Sequence, residues 1–208
     1  MASKSTVALI AVGAVLLLSG CGSTKMAGSA AVLGDTTIPT ATVTELVAEV
    51  RDQIEAMPKD QVSEVPSLVM LNQMILSHLV LERVIDVALV AKGITVTEAQ
   101  VNEFRDSVFA QYGREVIINQ VAVQQGVSVQ QLDAFMRLVY SEQILAQALA
   151  PQGADAEQTQ ALLEYVGEVG RAMGVEVAPR FGDWNPNKLQ VTPGDMTLSQ
   201  PAPIAPVG

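Results

Sequence analysis

Residues 68–98 read LVMLNQMILSHLVLERVIDVALVAKGITVTE, and the reading of Leu68 to Lys92 decides the fold. The spacing predicts one long helix, stopped by Gly93, with Thr97 opening the next. On a helical wheel Asn72, Glu82, Arg83 and Asp86 share one narrow stripe, and most of the remaining circumference is apolar. A helix apolar over most of its surface has to be covered on several sides. The stretch is therefore expected as the central helix of a helical domain. Its length would also allow a membrane span, but Glu82, Arg83 and Asp86 would then lie close together at depth, where charge is costly. The buried helix is preferred.

Composition narrows the classes. The chain has 208 residues, enough for one domain with extensions or two small ones, and 49% of them are hydrophobic. A net charge of −10 argues against nucleic acid as partner and against a body lying flat on anionic lipid. One cysteine and one histidine exclude an internal disulfide and a thiolate zinc site. No metal or cofactor is expected.

Outward from the central helix, periodicity marks its neighbours. Ala30–Leu33 reads as a short strand before a Gly34-Asp35 turn. Thr42 and Glu45 have capping-box spacing ahead of a helix carrying Leu46, Val47, Val50, Ile54 and Met57, which Pro58 ends. After Thr97, a helix with Val101, Phe104, Val108 and Tyr112 on one face runs to Gly113. Residues 114–125 are rich in β-branched side chains and allow a strand. Their flanks favour a short helix, because Gly126 suits a C-terminal cap and Ser128 with Gln131 has capping-box spacing for the helix that runs to about Leu149. A last helix, Ala154–Met173, contains Gly167 and Gly170, which either allow close packing or fray it. Val175–Ala178 alternates as a strand and is expected to pair with Ala30–Leu33, with Phe181 and Trp184 pinning the exit. The fold class is thus mainly α: about six helices around Leu68–Lys92, with a small two-stranded sheet joining the two ends of the domain.

The first residues look like an export signal, with Lys4 followed by the apolar run Val7–Leu18. The run ends in Leu18-Ser19-Gly20-Cys21, which resembles the bacterial lipoprotein signal. The resemblance implies acylation of Cys21 and cleavage just before it, so that residues 1–20 are lost. An uncleaved signal anchor with an incidental cysteine is the alternative, disfavoured by the shortness of the apolar run. Two or three acyl chains would hold the protein stably, at ~0.8 kcal/mol per buried CH₂. Residues 21–29 then form a flexible tether, 30–184 the folded domain, and 185–208, with Pro186, Pro193, Pro201, Pro203 and Pro206, a disordered tail.

A second resemblance starts at Ala88-Leu-Val-Ala-Lys-Gly-Ile-Thr-Val-Thr-Glu-Ala-Gln-Val101, a helix end, a glycine and a capped restart similar to the SurA N-terminal domain family. Val32-Leu33-Gly34-Asp35 with Ile38, Tyr112-Gly113, Gly126-Val127-Ser128 with Leu132 and Met136-Arg137, and Val177–Trp184 are similar to other segments of that family. The likeness covers roughly residues 30–184. It implies the peptide-binding module of envelope foldases and chaperones. The parvulin isomerase domain that usually accompanies it has no counterpart here, and its histidine pair cannot exist in a chain with one His. Prolyl isomerase activity is not expected.

Chemistry-bearing residues are few. His78 could act as a general base with Ser77 or Asp86, but Ser77 points about 100° away along the helix and Asp86 lies two turns on, so a histidine at a helix contact is the better reading. Glu82 and Asp86, with Arg83 between, read as a solvated stripe. Met70 and Met74 suit either core filling or a surface that accepts varied apolar partners. With Val101 and Phe104 they are the candidate client groove. The expected function is that of a lipid-anchored extracytoplasmic chaperone-like protein, not an enzyme, binding unfolded or exported polypeptides. The alternative is an adaptor lipoprotein binding one folded envelope partner.

Overall fold

The computed structural model describes residues 26–59, 62 and 64–194. The expected signal peptide, Leu18, Ser19, Gly20, Cys21 and the chain from 195 onward lie outside the described residues. The elements are β1 Ser29–Leu33, β2 Thr36–Pro39, α1 Thr40–Ala56, α2 Leu68–Ala91, α3 Glu98–Tyr112, α4 Arg114–Gln125, a 3-10 turn at Val129–Gln131, α5 Leu132–Leu149, α6 Asp155–Ala172, β3 Val175–Val177, β4 Asp183–Asn185 and β5 Gln190–Thr192.

Helix α2 is the core of the molecule. Ser67 caps it by accepting the Met70 N–H at 3.2 Å. At the other end the Lys92 N–H reaches the Ala88 and Leu89 carbonyls before Gly93 turns left-handed. Leu71, Leu76, Val80, Val84 and Ala88 are fully buried. The helices α1, α5 and α6 and the strands β1 and β5 all pack on it. Among the described residues no helix is long and apolar enough to cross a membrane. Only the ends of α2 show large apolar side chains to water: Leu68, Val69 and Met70 at one, Val87 and Val90 at the other.

Three local expectations need correction. Helix α1 opens at Thr40 behind Pro39, without a side-chain cap, so the Thr42–Glu45 box does not form. Pro39 has φ −65°, already the helical value, and needs no N–H bond there. Ser128 likewise does not cap with Gln131. Its hydroxyl donates to Glu49 Oε2 at 2.8 Å, while the Val129 N–H donates to Gln53 Oε1 at 2.8 Å. Two side chains of α1 thus supply, from a distance, the acceptors that the start of α5 lacks locally. The box at Thr97 does form: the Gln100 N–H donates to Thr97 Oγ1 at 3.3 Å and the Thr97 N–H to Gln100 Oε1 at 2.9 Å. The β-branched stretch 114–125 is helical and ends at Gly126, at φ 64°.

The second correction concerns the sheet. Val175–Val177 pairs antiparallel with Leu33–Ala31 as expected, but β2 pairs on the other edge, giving three strands in the order β2-β1-β3. As the central strand, β1 is buried along its whole length, from Ser29 onward. The described part of the expected tether is therefore folded: Met26 packs on the core and the Thr40 N–H donates to the Gly28 carbonyl.

The third concerns the C-terminal end. The chain does not leave the domain at Trp184. Strands β4 and β5 pair antiparallel, Trp184 opposite Val191, and β5 lies on α2 with Leu189 and Val191 buried. Asn185 makes the turn, its Oδ1 accepting the N–H groups of Asn187 and Lys188. The hairpin is fitted closely to α6. A Cβ on Gly167 would stand 2.5 Å from the Pro186 carbonyl oxygen, and one on Gly182 would stand 2.1 Å from that of Thr192. The glycines of α6 are there for close approach.

Gly167→Ala should accordingly lower the urea midpoint, by about 1–3 kcal/mol of overpacking, although alanine is the better helix former by ~1 kcal/mol. Gly170→Ala, whose Cβ would meet the Trp184 Nε1 at 3.3 Å, should be milder. A raised midpoint for Gly167→Ala would refute the close-packing account.

Candidate binding cleft

The β4–β5 hairpin, the N-terminal half of α2 and the middle of α5 enclose a cleft of about 530 Å³. That is within the size range of ligand sites, ~300–1,000 Å³. Met70, Met74 and Leu81 of α2, Phe135 and Val139 of α5, and Leu189 and Val191 of the hairpin supply its apolar wall. Gln73, Gln125, Gln190 and Thr192 supply neutral polar groups. Ser77 holds the hairpin side in place, because its Oγ accepts the buried Val191 N–H at 2.8 Å and donates to the Gln73 carbonyl at 2.6 Å. Ser77 is thereby committed to structure and is not a partner for His78.

Of the four candidate groove residues, Met70 and Met74 line this cleft. Val101 and Phe104 do not. Val101 is buried, and the Phe104 ring lies 5.4 Å from that of Tyr140, between α3 and α5. Helix α3 packs on α4 and α5, with Phe104 and Val108 half-buried against the core and Tyr112 exposed. The stripe of Glu82, Arg83 and Asp86 stays solvated, with Arg83 3.6 Å from Glu82 and 3.9 Å from Asp86. Such exposed pairs contribute little.

Three titratable groups line the cleft: His78, Glu142 and Lys188. Lys188 is exposed at the rim. The His78 ring packs 5.3 Å from Phe135, and both rings line a small pocket of about 40 Å³ with Leu46, Val50, Ile75 and Leu138. Burial lowers the imidazole from 6.5 to about 4, against a hydrogen bond to the Gln125 side chain that pulls it up. The ring is neutral at physiological pH. Burial pushes the Glu142 carboxyl from 4.5 up to about 7. No hydrogen bond or ion pair to Glu142 is present among the described residues. The residue gives no sign of itself in the sequence: it is a lone glutamate on an amphipathic helix, and the cleft around it is assembled from α2, the end of α4, α5 and the hairpin.

Among the described residues no group of three His, Cys, Asp or Glu side chains is placed to hold a metal ion. Among the described residues no nucleophile is paired with His78. The arrangement offers shape, apolar surface and neutral hydrogen-bonding groups. Compared with protein-family models, curated proteins and solved structures, the chain matches none. The resemblance to SurA N-terminal domains therefore rests on the segments quoted above.

The two shifted groups act on stability in opposite directions. His78 has a lowered pKa in the folded chain, so its contribution is full above about 6.5 and is lost as the pH falls towards about 4. Glu142 has a raised pKa, so its contribution is full below about 4.5 and is lost as the pH rises through about 7. Between those limits the slopes oppose one another. Glu142→Gln should leave stability near pH 4.5 unchanged and raise it at pH 8, by on the order of 1–3 kcal/mol at 1.36 kcal/mol per pKa unit. Urea unfolding at the two pH values checks this, and a difference independent of pH would refute the burial of the carboxyl.

Proposed function

We propose that the chain is a lipid-anchored, extracytoplasmic, chaperone-like protein that holds unfolded or exported polypeptide without catalysing a reaction on it. The observation that carries the proposal is the cleft. It is open, and its wall sets apolar side chains beside nearly as many polar ones. It also shares Met70 with a run of exposed apolar side chains, Val65 at 61%, Leu68 at 52%, Val69 at 64% and Met70 at 52% exposure. Contiguous exposed apolar surface marks interaction sites in soluble domains. Two methionines at its centre suit sequences of varied shape, because the unbranched thioether adapts to its neighbour. The Leu18–Cys21 motif supports the anchor, and the segments similar to SurA N-terminal domains support the class of client.

Burying one client side chain of leucine or phenylalanine size contributes roughly 1.5–3 kcal/mol. A few such contacts, set against the loss of client freedom, make binding weak and reversible. That suits a holdase, which must release what it holds.

The form beginning at Gly22 should slow aggregation of a chemically denatured client at near-stoichiometric ratio, and Met70→Asp with Met74→Asp should weaken this by about tenfold or more. A fully folded protein without effect on any client would overturn the reading. A single stoichiometric partner in pull-downs from envelope extracts would replace it with the adaptor. Cys21→Ser should move the protein from the membrane to the soluble fraction and remove the acyl mass from the mature N-terminus, as read by mass spectrometry. A wild-type chain without acyl groups would overturn the anchor.

A further inference from the structure

We propose that the cleft selects polypeptide segments in which a lysine or arginine is flanked by apolar residues, with Glu142 as the counter-ion of that cation. The inference rests on the peptide-binding reading above and deepens it. Glu142 projects from α5 among Leu138 and Val139, in a cleft whose other walls are Met74 and the hairpin. It has no hydrogen bond or ion pair among the described residues. A half-buried carboxyl in that position is a deficit that a ligand can relieve, since a charge held away from water is costly unless paired.

The other titratable groups facing it do not do so. His78, on α2, is kept neutral by burial. Lys188, in the hairpin turn, is exposed to water at the rim, and no contact with Glu142 is made. From the end of α4 and from β5 come only amides and a hydroxyl, Gln125, Gln190 and Thr192. These can serve the main chain of an extended segment but cannot neutralise a carboxylate. The apolar walls would take the residues on either side of the cation, which also binds its own methylene stem to apolar surface. A net charge of −10 favours the approach of cationic segments from a distance.

Binding then carries a proton balance. A cation entering the cleft favours the ionised carboxylate, so the Glu142 proton leaves to the buffer as the ion pair forms. With the free carboxyl at about 7, a binding event at pH 7 releases about half a proton.

The test uses the full chain in nanodiscs of neutral phosphatidylcholine, with empty discs as baseline. The probes are two acetylated, amidated heptapeptides of leucine, phenylalanine and methionine around a central residue, lysine in one and glutamine in the other. Calorimetry at pH 7 in phosphate and in Tris reads affinity and proton release together. The lysine peptide should bind about tenfold more tightly and release about half a proton, the glutamine peptide none. Glu142→Gln should remove both differences, so that this variant binds the two peptides equally and releases no proton with either. Lys188→Ala should keep the lysine preference. Equal affinities and no proton release in the wild-type chain would overturn the inference and leave peptide binding intact, and that comparison needs no variant. Loss of the preference in Lys188→Ala would overturn the assignment to Glu142. Binding of neither peptide would overturn both this inference and the reading it rests on.

Discussion

A helix apolar on nearly every side cannot be left in water, and the rest of this molecule is the means of covering α2. The helices α1, α5 and α6 cover it from different directions, β1 lies across it, and β5 closes the remaining face. At ~25 cal/mol per Å² of apolar surface removed from water, this covering is the main favourable term in the fold. The last cover is the thinnest. Strand β5 is three residues long and is tied to α2 by the bond between the Val191 N–H and Ser77 Oγ. The cleft exists because a short hairpin with a four-residue loop covers less of α2 than a helix would. Met70 and Met74, on the turns of α2 beside it, therefore keep a free side. The core and the candidate site are consequences of the same shortage of cover.

What could be read from sequence follows from how local each cause is. The helices were legible because their periodicity is written within each segment, and the pairing of β1 with β3 because one end of the domain carries a short apolar run and the other a short alternating one. Thr97 was legible as a cap because Gln100, three residues on, completes the box. Thr42 and Ser128 have the same spacing and do not cap. At the first, Pro39 fixes the start three residues earlier. At the second, Glu49 reaches the Ser128 hydroxyl from another helix. A capping pattern states what the chain can do locally, and a distant acceptor in better position decides otherwise.

The hairpin was lost to composition. Five prolines after Asn185 suggested a tail without structure, yet Pro186 occupies the turn that Asn185 stabilises, and Pro193 follows β5. Prolines at these places forfeit no ladder bond. The alternation of Leu189, Gln190, Val191 and Thr192 was a visible strand signal that proline content outweighed. Leu189 stands at φ 53°, after a turn in which the Lys188 N–H also bonds the Asn185 carbonyl. Left-handed residues of this kind end longer hairpin loops, and here the turn buries Leu189 while Lys188 points to water. With the hairpin missing, the groove could only be sought along helices, which is why Val101 and Phe104 were grouped with the methionines. Glu142 had no signal at all, because its environment is made largely by residues distant in the chain, from Met74 of α2 to the hairpin.

His78 and Glu142 show why a binding cleft and a stable fold are in tension here. Both would be cheaper to keep in water, and both are enclosed when the hairpin docks. The imidazole answers by staying neutral, which leaves it satisfied by Gln125 and the Phe135 ring. The carboxyl has no such partner, and near neutral pH it divides between a protonated and an ionised form. Its ionised form lacks a counter-charge, which an entering cation would supply. One side chain on α5 would thus link the identity of the client to the affinity of the cleft, with no second site and no rearrangement of the helices around α2.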